Sequence, residues 1–179
     1  MKLFIASAAS NDIPEKYFID CKNFLTEIFK YNHELMYGAN NKGLMGLSYK
    51  IAKDFDRNIV GVCPEGYREE LELIECNSEF TVKNISERND MLTELCDAIV
   101  FLPGGIGTLY ELFAALEGKR AKDFDKPIII YNSCNYFDSI ISLLEKMYTE
   151  KFTSINVRDY YHVSNNIEDA INYINSLKN

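Results

Sequence analysis

Residues 97–108 place the strongest constraint on what this chain can fold into. Asp97-Ala98-Ile99-Val100-Phe101-Leu102 runs directly into Pro103-Gly104-Gly105-Ile106-Gly107-Thr108. An apolar run without alternation suits a strand of a parallel sheet covered on both faces. Glycines in the turn are expected to let the backbone take positive φ and to let an oxyanion approach without meeting a Cβ. A helix predicted from about Thr108 to Gly118 offers free N–H donors and a positive dipole end. Together these parts form an anion cradle. A tight turn without a ligand is the alternative, but three glycines and Thr108 at a strand's carboxyl end favour phosphate. The spacing is neither the Walker pattern nor G-x-G-x-x-G.

The rest of the chain alternates in the same way. Strands are expected at residues 2–7, 34–37, 58–63, 97–102, 126–131 and 160–163. Asp12-Ile13-Pro14-Glu15 reads as a helix start, with Asp12 as cap and Glu15 completing a capping box. Phe18, Cys21, Phe24, Leu25 and Ile28 follow at helical spacing. Further helices are expected from Gly43 to about Asp54, from Glu87 to Cys96, and over 137–150 and 167–177. Residues 64–85 are the least regular; Leu71, Leu73 and Ile74 fit either a short strand or a helical turn. No linker, low-complexity tract or repeat interrupts the pattern. The prediction is one domain over 1–179 with an α/β, Rossmann-like, doubly wound, mainly parallel sheet and helices on both faces. Ligands of such sheets bind beyond the carboxyl ends of the strands.

Composition narrows the partners. A net charge of −8 over 179 residues disfavours a general nucleic-acid binder, which needs a basic face. It leaves room for a nucleotide, since one phosphate needs only a local site. No stretch approaches the ~18 apolar residues of a membrane span, and the N-terminus reads as a first strand, so the expected location is the cytoplasm. The five cysteines are not in C-x-x-C spacing, and Cys63 and Cys96 sit in or beside apolar segments. They read as small buried hydrophobes. His33 and His162 are far apart in sequence, so no metal site and no cofactor are expected.

Thr108-Leu109-Tyr110-Glu111 is open to two readings. Glu111 either bonds back to the helix start as a capping-box residue, or serves as a carboxylate one turn beyond a phosphate cradle, placed to act on a water near the sugar. The residues alone leave that choice open.

The segment Pro103-Gly104-Gly105-Ile106-Gly107-Thr108-Leu109-Tyr110-Glu111 resembles the Pro-Gly-Gly-x-Gly-Thr-x-x-Glu signature of the Lonely Guy family, often labelled "possible lysine decarboxylase". Tyr37-Gly38, Gly43-Leu44-Met45-Gly46, Gly61-Val62-Cys63-Pro64, Glu87-Arg88 and Asp97-Ala98 resemble other family segments in the same order. The resemblance implies a Rossmann-like fold, a homodimer, and hydrolysis of a nucleoside 5′-monophosphate, such as AMP or a cytokinin ribotide, to free base and ribose 5-phosphate. It places the catalytic residues at Arg88 and Glu111. It places phosphate and substrate contacts at Gly104, Gly105, Ile106, Gly107, Thr108, Asn89, Gly43 and Met45. Arg88 suits this role chemically, because a guanidinium clamps phosphate bidentately, whereas a cation at a helix start is otherwise unfavourable.

The chain departs from the family pattern in three places. Asn89 stands where a lysine is usual, a Thr-Trp pair is replaced near Glu117-Gly118, and Ala39-Asn40-Asn41-Lys42 makes the first glycine segment less glycine-rich. These departures point away from cytokinin substrates and keep a second hypothesis in view, a non-catalytic nucleotide or molybdenum-cofactor carrier. A pyridoxal-phosphate decarboxylase using Lys126 is the third. It is disfavoured, because Lys126 reads better as a solvated residue beside a strand-starting proline. Tyr49, Phe55 and Phe113 are candidates for either an interface or the core.

Overall fold

The computed structural model describes residues 1–67, 74–153 and 156–177. These form a seven-stranded, all-parallel sheet. The strands are β1 (Lys2–Ala6), β2 (Glu34–Tyr37), β3 (Ile59–Pro64), β4 (Ser78–Val82), β5 (Ala98–Phe101), β6 (Ile128–Tyr131) and β7 (His162–Ser164), in the order β4-β3-β2-β1-β5-β6-β7. The α-helices are α1 (Glu15–Phe29), α2 (Gly43–Asp54), α3 (Ile85–Leu95), α4 (Ile106–Ala121), α5 (Asp138–Thr149) and α6 (Ile167–Ser176).

Period-two alternation along the central strands produces two cores. Leu3, Ile5, Leu35, Tyr37, Ala98, Val100, Ile129 and Tyr131 face α1, α2 and α6. Phe4, Ala6, Met36, Ile99, Phe101, Ile128 and Ile130 face α3, α4 and α5. Both faces are therefore apolar, which is why β5 and β6 read as unbroken hydrophobic runs. The chain winds outward from β1 to β4, then returns to place β5 beside β1. That reversal opens a crevice at the carboxyl ends of β1 and β5, the topological switch point of a doubly wound sheet.

Some local expectations need correction. Pro14, not Asp12, is the N-cap of α1, and no side chain caps that helix. The Asp12 N–H is held by Ser10 Oγ at 3.2 Å, and the helix starts only after Pro14 has fixed φ near −55°. Between Pro64 and Ile85 lies β4, a parallel edge strand whose first four residues are exposed, so no apolar run announces it. Leu71 and Leu73 lie outside the described residues, while Ile74 is buried. Helix α3 begins two residues early, because Asn84 Oδ1 accepts the Glu87 N–H at 2.9 Å and Glu87 Oε2 accepts the Lys83 N–H at 2.8 Å. Strand β7 is His162–Ser164, two residues later at its start than expected.

Candidate functional site

The crevice at the switch point contains a cavity of about 510 Å³. One side is the end of β1, with Ser7 and Ala8. Another is the loop after β5, Pro103 to Gly107, leading into α4. Gly38 and Met45 contribute from the β2–α2 region, Arg88 from α3, and Tyr17 and Tyr136 from α1 and the turn after β6. Two backbone bonds join the ends of β1 and β5 beneath it: Leu102 N–H to Ala6 O at 2.9 Å and Ala8 N–H to Pro103 O at 3.0 Å.

The loop glycines do not take the positive φ expected of them: among the described glycines that conformation belongs to Gly43, and Gly105 has φ of −85°. Gly105 is the N-cap of α4, and the first intrahelical bond runs from the Leu109 N–H to Gly105 O at 3.0 Å. The helix thus starts two residues before Thr108. A Cβ on Gly104 would collide with the Thr108 side chain, so Gly104 is required by close packing. A Cβ on Gly105 or Gly107 would meet nothing within 4 Å. Those two glycines leave open space that the protein itself does not fill.

This helix start excludes the capping-box reading of Glu111. Thr108 lies inside α4 and is not its N-cap, and no side chain caps the helix. Glu111 instead accepts a hydrogen bond from Arg88 Nη2 at 2.8 Å. Both belong to the cavity wall, and Glu111 is only 6% exposed. Burial pushes the Glu111 carboxyl above the usual glutamate range, and the Arg88 charge and hydrogen bond oppose that shift. Arg88 has further donors to offer: its Nε is buried with no hydrogen-bond partner. A Cβ on Gly38 would stand 3.0 Å from Arg88 Nη1, so the missing side chain makes room for the guanidinium.

Other expected contacts fall in different places. Met45 lines the cavity. Gly43 does not: its φ is +58°, a Cβ there would lie 2.6 Å from the Ala8 and Ser10 carbonyl oxygens, and its N–H is taken by Asn11 Oδ1 at 2.8 Å. Gly43 therefore packs the start of α2 against the β1–α1 loop. Ile106 is 85% exposed and its side chain lies off the cavity wall. Asn89 follows Arg88 on α3 but turns inward; it is buried, its Oδ1 has no partner, and it does not line the cavity.

Residues 45–174 match the family model described as possible lysine decarboxylase. The chain belongs to this family, the Lonely Guy proteins. Over 144 residues it is 32% identical to a cytokinin riboside 5′-monophosphate phosphoribohydrolase of Rhodococcoides fascians, covering 79% of this chain and 73% of that one. Over 133 residues it is 32% identical to an Arabidopsis thaliana protein of the same name, covering 74% of this chain and 62% of that protein's length. In fold it is similar to the molybdenum cofactor carrier protein of Chlamydomonas reinhardtii, with a TM-score of 0.72 and 18% identity over 99% of this chain and 97% of that one.

The family's decarboxylase label finds no support at Lys126. This lysine precedes β6, at the opposite end of the strands from the cavity. Its Nζ donates to the carbonyls of Thr93, at 2.7 Å, and Glu94, in the last turn of α3. That is a helix C-terminus satisfied by a cation. None of the described residues lining the cavity is a lysine.

Sequence reasoning missed Ser7, Tyr17 and Tyr136 as cavity residues. Ser7 Oγ is buried without a hydrogen-bond partner. Tyr136 packs edge-on against Tyr17, with ring centroids 5.4 Å apart. The usable signal was strand order: once β1 lies beside β5 and β5 beside β6, residues just past their carboxyl ends face the crevice. Among the described residues, no group of three or more His, Cys, Asp or Glu could hold a metal ion. No described helix is long and apolar enough to cross a membrane.

Proposed function

We propose that this chain is a nucleoside 5′-monophosphate phosphoribohydrolase, acting on AMP or a nucleotide like a cytokinin ribotide. One observation carries the reading: the ion pair of Arg88 with buried Glu111 stands one helical turn from a glycine loop whose Gly105 and Gly107 leave space open to the cavity. The names of the relatives from Rhodococcoides fascians and Arabidopsis thaliana support the same chemistry.

In this reading the loop and the N-terminus of α4 hold the 5′-phosphate through backbone N–H donors, with Gly104 and Thr108 shaping the turn. Arg88 adds a fixed positive charge beside it. Met45 borders the substrate. Asn89 and Gly43 support the site from outside the cavity wall, and Ile106 contributes only its backbone to the loop. Holding a non-reacting phosphate supplies binding energy for orientation at the sugar. Hydrolysis then breaks the bond from C1′ to the base nitrogen, and that electron pair leaves with the base. A bond forms from C1′ to a water oxygen. Glu111 orients the water, stabilises the oxocarbenium-like sugar, and passes one water proton toward the departing base.

The setting we propose is one nucleotide-binding domain in a cytoplasmic homodimer. Exposed Ile106, Tyr110 and Phe113, at helical spacing on α4, are the apolar residues that support a second copy.

Incubation with AMP, GMP, CMP and an isoprenyl-AMP, with assay of released base and of nucleotide affinity, tests the function. Base release from at least one of them is expected. Tight nucleotide binding without base release would favour a carrier in its place.

A further inference from the structure

We propose that Tyr136 is a positioning residue that sets the orientation of the Gly104–Gly105 peptide in the phosphate loop. The proposal rests on the phosphate reading given above.

The Tyr136 hydroxyl donates to Gly104 O at 2.6 Å, bridging 32 positions of sequence. In a trans peptide the C=O and the next N–H point in opposite directions. Fixing the Gly104 carbonyl therefore fixes the Gly105 N–H on the far side of the peptide. This peptide has glycine on both sides, so nothing in its own side chains opposes a flip. A flip would turn a carbonyl oxygen, in place of an N–H, toward a bound anion. An outside group has to choose the orientation, and Tyr136 is placed to do so.

The turn that delivers Tyr136 is itself unusual. Cys134 and Asn135, the two residues before it, have φ of 51° and 61°. Asparagine tolerates this region, whereas cysteine adopts it only at a cost. The turn is held by Asn132. Its Oδ1 accepts the Phe137 N–H at 2.7 Å, and its Nδ2 donates to Asp138 Oδ1 at 2.8 Å and Asn165 Oδ1 at 2.9 Å. Edge-on packing against Tyr17 and Phe137 fixes the Tyr136 ring, with centroids at 5.4 and 5.1 Å. Two consecutive left-handed residues and a three-partner side-chain hydrogen-bond hub converge on one hydroxyl, and that hydroxyl touches the loop. A phenylalanine would keep the ring packing, so what the hydroxyl adds is its hydrogen bond to the loop carbonyl.

The test is Tyr136→Phe, which keeps the ring. Binding of ribose 5-phosphate and ribose, and of AMP and adenosine, is measured by calorimetry on wild type and variant. The expected result is a loss of about fivefold or more in affinity for the two phosphorylated ligands, the scale of one net hydrogen bond. Adenosine and ribose are expected to bind as before. The Gly105 amide resonance, shifted by ribose 5-phosphate in the wild type, should lose most of that shift in the variant. A full phosphate preference in the variant, with the Gly105 shift intact, would overturn the proposal alone. An equal loss for adenosine and AMP would also overturn it, by showing that the hydroxyl supports the whole cavity. A wild type indifferent to phosphate would remove the phosphate loop itself, and Tyr136's role with it.

Discussion

Arg88 Nη2 and Glu111 Oε1 meet at 2.8 Å across 23 positions of sequence, joining the first turn of α3 to the second turn of α4. The contact sets two opposing influences on one carboxyl: burial raises the Glu111 pKa and Arg88 restrains it. Removing the arginine leaves burial unopposed. Arg88→Gln should therefore move the Glu111 titration further upward. Carbon-13 NMR of the glutamate carboxyls reads this directly, and a downward move would show that Arg88 is not the restraining charge.

Arg88→Lys keeps the charge but loses the planar fork. It should bind AMP more weakly than wild type and more tightly than Arg88→Ala; both variants should stay folded, with Arg88→Ala the less stable because it leaves buried Glu111 without its charged partner. Lys and Ala variants of equal affinity would show that charge at this position does not contribute to binding.

The loop glycines should separate by function. Gly104→Ala drives a methyl into Thr108, and overpacking of this kind costs about 1–3 kcal/mol. Gly107→Ala meets no protein atom within 4 Å and lies inside α4. There alanine should leave stability unchanged or raise it by about 0.5–1 kcal/mol. If the open space belongs to a ligand, the same Gly107→Ala change should weaken AMP binding. Chemical denaturation and calorimetry on both variants check the contrast. Unaltered AMP affinity in Gly107→Ala would place the phosphate elsewhere.

The fold was legible because burial on both faces writes itself into strands as apolar runs, as in Ile128-Ile129-Ile130. Strand β4 was not legible, because an edge strand exposed over four of five residues carries no such run. The roles of Glu111 and Gly43 were ambiguous for another reason. Thr108-x-x-Glu111 fits a capping box locally, and only the approach of α3 supplies Arg88 as the stronger partner. Gly43 looked like part of a ligand loop, yet its N–H and the space a Cβ would fill are claimed by the β1–α1 loop. Tyr136 was silent in sequence because its partner is a backbone carbonyl 32 residues away.

Glu111→Gln preserves shape and removes the carboxylate. Turnover should fall by about 10²-fold or more, while AMP affinity stays near that of the wild type. Its stability carries a separate signature. A carboxyl with a raised folded pKa contributes stability at low pH, and that contribution is lost as pH rises from the ordinary glutamate range through the raised value. The glutamine does not titrate. The melting temperature of Glu111→Gln relative to wild type should therefore climb as pH rises from about 4 to 8. A difference that stays flat or falls would contradict the upward shift.

The most direct measurement compares adenine release from AMP and from adenosine by the same protein at fixed salt. Base, sugar and scissile bond are common to both, so the ratio isolates the anchored 5′-phosphate. With several charge-assisted hydrogen bonds of about 1.5–3 kcal/mol each at stake, kcat/KM should favour AMP by roughly a hundredfold or more. Equal rates for the two would contradict the phosphate-anchored phosphoribohydrolase.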